Sequence, residues 1–262
     1  MTAVVEADRP TARRGLGALN PLAKIAGPAP AMIALVFVRD LSTPLVFLCL
    51  AYAALLLGAR LTRRGLGILI GVIPVAIVVV AAGFALWVDP ARVAGTSEVV
   101  RLGDGAVTQG ALMIGLATGL RLAAIMALAF IGGLTTEGSD LVRSLVQQLR
   151  VPSRIGYAAL AAIRFVPRFG HELAVIRQAH RVRGARGGIW SAPARAAGYV
   201  VPLLAGAIRH AERVALAMDA RAFGAHPDRT ERHLVPWRRR DTVFVGAFWA
   251  VSAAVFVVVR PF

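Results

Sequence analysis

The sequence predicts an all-α integral membrane protein with about five transmembrane helices and a cytoplasmic domain of amphipathic helices inserted before the last span. Hydrophobic residues make up 57% of the 262 residues, and the mean hydropathy is +0.67. Soluble domains are usually about 45–50% apolar. The net charge is nevertheless +16, and the basic residues are concentrated in one block outside the main apolar runs. Lipid around the apolar runs and water around the basic block explain both observations.

Crossing a hydrocarbon core takes about 20 helical residues, and the chain has five apolar runs near that length. A polar turn at Arg39 and Asp40 separates the first two runs. Pro74 lies inside the third run and predicts a kink there. The predicted spans are 21–38, 41–58, 66–88, 107–134 and 242–259.

The block between the fourth and fifth spans contains 18 arginines and 7 acidic residues within 135–240, a net charge of +11. It divides the chain into a tail with four spans (1–134), an interfacial domain (135–240) and a last span (241–262). The N-terminal segment and the loop around Arg63 are also basic, whereas the intervening loops are nearly neutral. Basic loops stay in the cytoplasm. We therefore expect a multi-pass protein of the cell membrane, with its N-terminus cytoplasmic and its C-terminus outside.

Three helices are predicted in this domain, at 140–149, 153–183 and 193–221, the second of them interrupted or bent at Pro167. Each of the two long helices begins with apolar residues and finishes with charged ones. The apolar halves are too short to span a bilayer. They suit a surface that lies partly against membrane helices and partly in the cytosol.

Several kinds of active site are excluded or disfavoured. Lys24 is the only lysine and follows Ala23, so the chain has no phosphate-binding G-x-x-x-x-G-K-[ST] loop. The five histidines lack the spacing of a zinc site, and no G-x-S-x-G motif is present. We expect no catalytic residue, no metal ligand and no cofactor bound by this chain, which is therefore not predicted to be an enzyme.

The fourth span contains two unusual features. Arg121 lies near its middle, where a charge costs several kcal/mol or more unless it is paired or faces water. This arginine is interpreted either as a contact or gating residue for another subunit, or as a local hydrogen-bond donor. Gly115 and Gly119 have the small-xxx-small spacing that lets another helix approach closely.

Two helix ends in the basic domain share a pattern. Arg183 is followed by Gly184, and Ala220 and Arg221 are followed shortly by Gly224. Each arginine ends a long amphipathic helix. Ordinary helix termination produces the same pattern, since cations favour helix C-termini and glycine ends helices, so the spacing alone leaves both interpretations open.

Over nearly its whole length, the sequence resembles the transmembrane T component of energy-coupling-factor (ECF) transporters. Asn20-Pro21-Leu-Ala-Lys24 is similar to the family's N-terminal opening, and Arg121 with Leu134-Thr135-Thr136 resembles its helix leading into the cytoplasmic domain. The run from Arg164 through Pro167 and Glu172 to Gln178-Ala179 resembles the segment before the family's first Ala-Arg-Gly motif. The two motifs fall on Val182-Arg183-Gly184 and Ala220-Arg221-Ala222, with valine and alanine as the departures.

The resemblance implies a coupling subunit of an ATP-driven importer for a vitamin or a transition-metal ion such as cobalt. Its partners would be two cytoplasmic ATPase subunits, or a fused pair, and a small substrate-binding S component in the bilayer. ATP and magnesium would bind in the ATPases. Arg183 and Arg221 would each reach an acidic groove on one ATPase, with Arg164, Pro167 and Glu172 supporting the coupling helices.

Alternatives come from other protein classes. A conventional ABC-type permease that binds substrate itself also docks cytoplasmic helices on ATPases. A membrane-anchored nucleic-acid-binding protein fits the basic domain, but would have to hide the long apolar stretches between its arginines. A membrane enzyme would need convergent acid, base or metal groups, and among such groups the spans offer only Arg121. We therefore expect no nucleic acid among the partners.

Overall fold

The computed structural model describes residues 15–59, 62–88, 93, 96–102, 105–183, 192–224, 231 and 233–259. It separates into two compact units. The first, the membrane unit, is Met1–Glu137 with Pro236–Phe262, and the second, the insert unit, is Gly138–Val235. The last helix packs within the membrane unit.

The protein is an all-α integral membrane protein. Within the described part of the chain, three helices are long and apolar enough to cross a bilayer, at Gly65–Trp87, Gln109–Thr135 and Arg239–Val259. The other two predicted spans correspond to shorter apolar helices at Pro21–Phe37 and Ser42–Gly58. The second of these has 17 residues, which makes it about 25 Å long at about 1.5 Å per residue.

The helices of the membrane unit are α1 (Pro21–Ala26), α2 (Ala29–Phe37), α3 (Ser42–Gly58), α4 (Arg63–Gly67), α5 (Ile73–Trp87), α6 (Gln109–Thr135) and α10 (Arg239–Val259), and a π-helical turn at Ile68–Val72 joins α4 to α5.

Prolines remove a backbone hydrogen-bond donor near the start of α2 and near the start of α5, and an aromatic side chain supplies the missing donor in each case. Pro30 has no N–H to donate to the carbonyl of Ala26 four residues earlier. The indole N–H of Trp249 donates to that carbonyl instead, at 3.0 Å. In the π-helical turn each carbonyl accepts from the residue five positions later, so Pro74 leaves the carbonyl of Leu69 without its backbone donor. The hydroxyl of Tyr52 donates to it.

Helices α5 and α6 pack closely because α6 presents glycines. A Cβ atom added to Gly115 would lie 2.3 Å from the Ala81 carbonyl oxygen, and one added to Gly119 would lie 2.8 Å from that of Ile77. Backbone therefore meets backbone at this interface, as the small-xxx-small spacing permits. Val79, with 64% of its surface exposed, belongs to the opposite, lipid-facing side of α5.

The core of the membrane unit lies between α2, α3, α5, α6 and α10. Phe47, Leu55, Leu128 and Ile131 are completely buried there, and the ring of Phe47 packs against that of Phe256 with centroids 5.3 Å apart. Burial of such side chains contributes about 1.5–3 kcal/mol each where water is the alternative; within lipid, close packing supplies the attraction.

A short antiparallel hairpin precedes α6, where the sequence predicted only a loop. It consists of β1 (Glu98–Leu102) and β2 (Gly105–Thr108). The side chain of Thr108 caps α6 by accepting from the Ala111 N–H at 3.3 Å. The helix begins where this cap satisfies one of its free N–H groups.

The insert unit contains α7 (Gly138–Gln148), α8 (Ser153–Val182) and α9 (Ala192–Asp219). Helices α8 and α9 run antiparallel, because later residues of α8 meet earlier residues of α9. The ring of Phe165 stacks on His210 with centroids 4.4 Å apart, and His180 meets Tyr199 edge to face at 5.1 Å. Pro167 and Pro202 lie inside these helices, and both helices continue through them.

The glycine contact between α5 and α6 yields a prediction about stability. Gly115→Ala inserts a methyl group against backbone and is expected to cost about 1–3 kcal/mol, lowering the Tm of the detergent-purified protein by several degrees. Gly133→Ala is the matched control, because no atom lies within 4 Å of a Cβ added there. An unchanged Tm for Gly115→Ala would contradict the close packing of α5 and α6.

Candidate functional site

The first candidate arginine, Arg183, caps the C-terminal end of α8. Its backbone N–H donates to the Ala179 carbonyl at 3.1 Å, and its side chain is exposed. Val182, which replaces the alanine of the family motif, has 89% of its surface exposed. Gly184 lies outside the described residues. The guanidinium of Arg183 thus extends from a helix end that is accessible to a partner.

The second candidate arginine, Arg221, lies in a well-defined C-terminal capping turn after α9. The Phe223 N–H donates to the Met218 carbonyl at 3.1 Å, and the Ala222 N–H donates to the Asp219 carbonyl at 2.9 Å. These two bonds form a Schellman motif, with Ala222 in the left-handed region at φ +53°. Ala220 and Arg221 are exposed. The left-handed residue of this helix-ending turn is therefore Ala222, two residues before Gly224, the glycine expected to stop the helix.

The antiparallel pairing places Arg183 and Arg221 at opposite ends of the two-helix pair. Helix α8 has 30 residues and is therefore about 45 Å long at about 1.5 Å per residue. Arg183 ends this helix, whereas the turn that carries Arg221 packs on its beginning, where Tyr157 meets Phe223. The two arginines therefore do not converge on one site.

The three residues predicted to support the coupling helices have different surroundings. Glu172 accepts from Arg168 at 3.4 Å, and its other carboxylate oxygen lies 3.1 Å from where a Cβ of Gly206 would be. It therefore packs α8 against α9. Arg164 and Pro167 are exposed on α8.

Arg121 lies in the membrane unit and contacts the end of α2. One guanidinium nitrogen, Nη1, donates to the Val36 carbonyl at 3.4 Å, and Nε is buried with no hydrogen-bond partner among the described residues. A cation at the C-terminal end of a helix is favourable, and this acceptor belongs to another helix, 85 residues away in the sequence. Gly115 and Gly119 lie on the same helix, where they face α5.

A buried polar group that sequence analysis missed lies at the end of the membrane unit. Asp241 is 1% exposed, and its carboxylate accepts from the Asn20 N–H at 2.8 Å and the Arg238 N–H at 2.7 Å. Asn20 in turn caps α1 by accepting from the Leu22 N–H at 2.9 Å. The first and last apolar helices are thereby joined. The sequence did carry a signal for this contact. Asp241 lies three positions after Arg238, the residue before α10, and an acidic residue at that spacing forms the second half of a capping box.

Lys24, the only lysine, is also buried in the membrane unit. Its ammonium donates to the Thr135 carbonyl at 2.7 Å, at the last residue of α6. The last carbonyls of a helix lack backbone donors, and a lysine there satisfies one of them. Among the described residues, no group of three or more metal-ligating side chains occurs.

Comparison with known proteins identifies the family. The family described as CbiQ, cobalt transport protein, matches residues 13–232. The chain belongs to the CbiQ family. The resemblance to the ECF transporter T component is thereby confirmed.

Curated relatives agree with this assignment. The chain is 32% identical over 126 residues to the energy-coupling factor transporter transmembrane protein EcfT of Limosilactobacillus fermentum, covering 45% of this chain and 47% of that protein. It is 28% identical over 171 residues to the protein of the same name from Bacillus selenitireducens, covering 62% and 64%. The matched segments thus span about half to two thirds of these relatives.

A third relative is a longer protein of Bifidobacterium longum named as an ABC transporter ATP-binding protein. It is 26% identical over 247 residues, which cover 90% of this chain but 31% of that protein. A CbiQ-like sequence therefore occurs there as one part of a larger chain.

The left-handed conformation of Ala222 explains why glycine suits this position in the CbiQ family's second motif. An L-residue in this region costs roughly 1–2 kcal/mol, which glycine avoids. We expect Ala222→Gly to stabilise the turn by about 1 kcal/mol and to slow hydrogen exchange of the Phe223 amide about fivefold. Ala217→Gly, the same change inside α9, should weaken the helix by about 1 kcal/mol. Faster exchange of the Phe223 amide in Ala222→Gly would contradict the left-handed conformation of residue 222.

Proposed function

We propose that this chain is the coupling T subunit of an ECF-type, ATP-driven importer for a vitamin or a transition-metal ion. It transmits conformational change in cytoplasmic ATPases to a separate substrate-binding membrane protein. The observation that carries the proposal is the geometry of Arg183 and Arg221, which are exposed at opposite ends of one antiparallel helix pair. A pair of ATPase subunits needs two such separated contacts.

The chemistry of the two contact points suits acidic grooves on the ATPases. A guanidinium donates two parallel hydrogen bonds to a carboxylate, and such charged bonds contribute about 1.5–3 kcal/mol each. The net charge of +16 would steer an acidic partner toward this chain. The B. longum relative, whose name assigns it ATP binding, supports a pairing of CbiQ-like sequence with an ATPase. ATP hydrolysis and magnesium binding then belong to that partner.

A second surface of the insert unit suits the substrate-binding membrane protein. One face of α9 carries exposed apolar residues in alternating steps of four and three: Ala197, Val201, Leu204, Ile208, Ala211 and Ala215. At about 3.6 residues per turn, this apolar stripe lies opposite Tyr199, Gly206 and His210, which face α8. A heptad-like stripe of this kind packs against another helix.

A conventional permease that binds substrate itself remains the alternative, because it would also dock on ATPases. It predicts that substrate is transported without a separate binding protein. The stripe on α9 favours the T subunit, since it provides a helix-docking surface beyond the two arginine contacts.

The proposal predicts which arginines hold the ATPases. Arg183→Ala or Arg221→Ala should weaken ATPase attachment roughly 10- to 100-fold at one contact, and the double variant should lose both the attachment and substrate uptake. Arg→Lys should restore only part of the affinity, because lysine keeps the charge but not the paired geometry. Co-purification of the ATPases and uptake are the measurements.

Two controls sharpen this experiment. Arg209→Ala removes another exposed arginine of α9, away from the helix ends, and should leave attachment unchanged. The double variant Leu204→Glu/Ile208→Glu should have the opposite effect to the arginine variants. The ATPases should still co-purify with it, whereas the substrate-binding membrane protein should not. A double arginine variant that keeps its ATPases and transports normally would overturn the proposed function.

We further propose that the N-terminus and the insert unit are cytoplasmic and the C-terminus is outside, because the basic segments fall on one side of the predicted spans. In a Cys49→Ser background, a membrane-impermeant maleimide should label Ser97→Cys on intact cells and leave Val182→Cys unlabelled. Both positions are exposed. The reverse labelling pattern would invert the topology.

A further inference from the structure

The capping turn that carries Arg221 packs on the beginning of α8. The ring of Phe223 meets that of Tyr157 edge to face, with centroids 5.7 Å apart and planes at 80°. A Cβ atom added to Gly224 would lie 3.1 Å from Nε of Arg154. The turn is therefore held against neighbouring side chains of the insert unit over its last two residues.

Phe223 lies in the same turn as Arg221. Only Ala222 separates the two residues, and the Phe223 N–H closes the outer bond of the Schellman motif to the Met218 carbonyl. Fixing the Phe223 ring thus fixes the backbone of the turn from Met218 onwards. The exposed guanidinium of Arg221 then starts from one defined position.

Tyr157 is itself held by a second contact. Its hydroxyl donates to Oε2 of Glu231 at 3.1 Å, and the residue is partly buried. The ring is therefore supported on one edge by the carboxylate while it packs against Phe223. A ring held in this way is a firm base for the turn.

We infer that Tyr157 is a positioning residue for Arg221, an inference that rests on the proposed function. Paired bonds between an arginine and a carboxylate need one matched geometry, and holding the arginine near that geometry before binding reduces the ordering cost. Tyr157 supplies this order at one contact point. Arg183 is 26 residues further along α8, about 39 Å at about 1.5 Å per residue, and so does not depend on it.

A double-mutant cycle in the complex of the intact chain with its co-expressed ATPases tests this inference. Tyr157→Ala is expected to weaken ATPase attachment about 2- to 10-fold in the wild-type chain. Adding Tyr157→Ala to the Arg183→Ala variant should cause the same loss of attachment. Adding it to the Arg221→Ala variant should cause no further loss, because the residue that Tyr157 positions is already absent. Phe223→Leu should follow the pattern of Tyr157→Ala.

Two readouts separate positioning from a general loss of structure. Tyr157→Phe keeps the ring contact but loses the hydrogen bond to Glu231, so it should weaken attachment clearly less than Tyr157→Ala does. Hydrogen exchange of the 222–223 amides should accelerate in Tyr157→Ala, while exchange at 182–183 stays unchanged. An equal loss from Tyr157→Ala in the Arg183→Ala and Arg221→Ala backgrounds, or acceleration at both helix ends, would overturn the inference. If Arg221→Ala alone left ATPase attachment unchanged, the proposed function would be wrong at this contact. The exchange data would still test whether Tyr157 orders the turn at Phe223.

Discussion

Inside a bilayer, a backbone N–H or C=O group has no water to bond to, so each one must find a partner within the protein. The membrane unit meets this constraint even where its helices are broken. The carbonyls of Ala26 and Leu69 lose their backbone donors to prolines, and an indole and a phenol replace them. At Pro30 and Pro74 the two carbonyls therefore keep a hydrogen-bond donor.

The same constraint explains the positions of its charged residues. Lys24 donates to the last carbonyl of α6, and Arg121 donates near the end of α2. Asp241 accepts at the other kind of helix end, from the N–H groups that precede α1 and α10. Each charge is thus located where a helix terminus carries the opposite partial charge, which lowers the cost of burial.

Much of this architecture could be predicted from local sequence patterns. Hydropathy located the apolar helices, and the turn residues bounded the two long helices of the insert unit within two residues of their observed ends. The contact between Asn20 and Asp241 could not be predicted in this way, because it joins residues 221 positions apart and depends on tertiary packing. The left-handed Ala222 was also missed, since alanine is a strong helix former and only the hydrogen bonds of the turn require its conformation. The two motif arginines were chosen as candidates because family resemblance added order and spacing to a pattern that ordinary helix ends share.

The apolar stripe on α9 has a consequence for the life of the protein in the cell. Val201, Leu204 and Ile208 are 72%, 55% and 60% exposed, and an uncovered row of large aliphatic side chains is a site of self-association. A chain synthesised in excess of its partners would present this row to other copies of itself and to the quality-control machinery. Steady-state abundance should therefore follow the supply of the membrane partner proposed to cover the stripe.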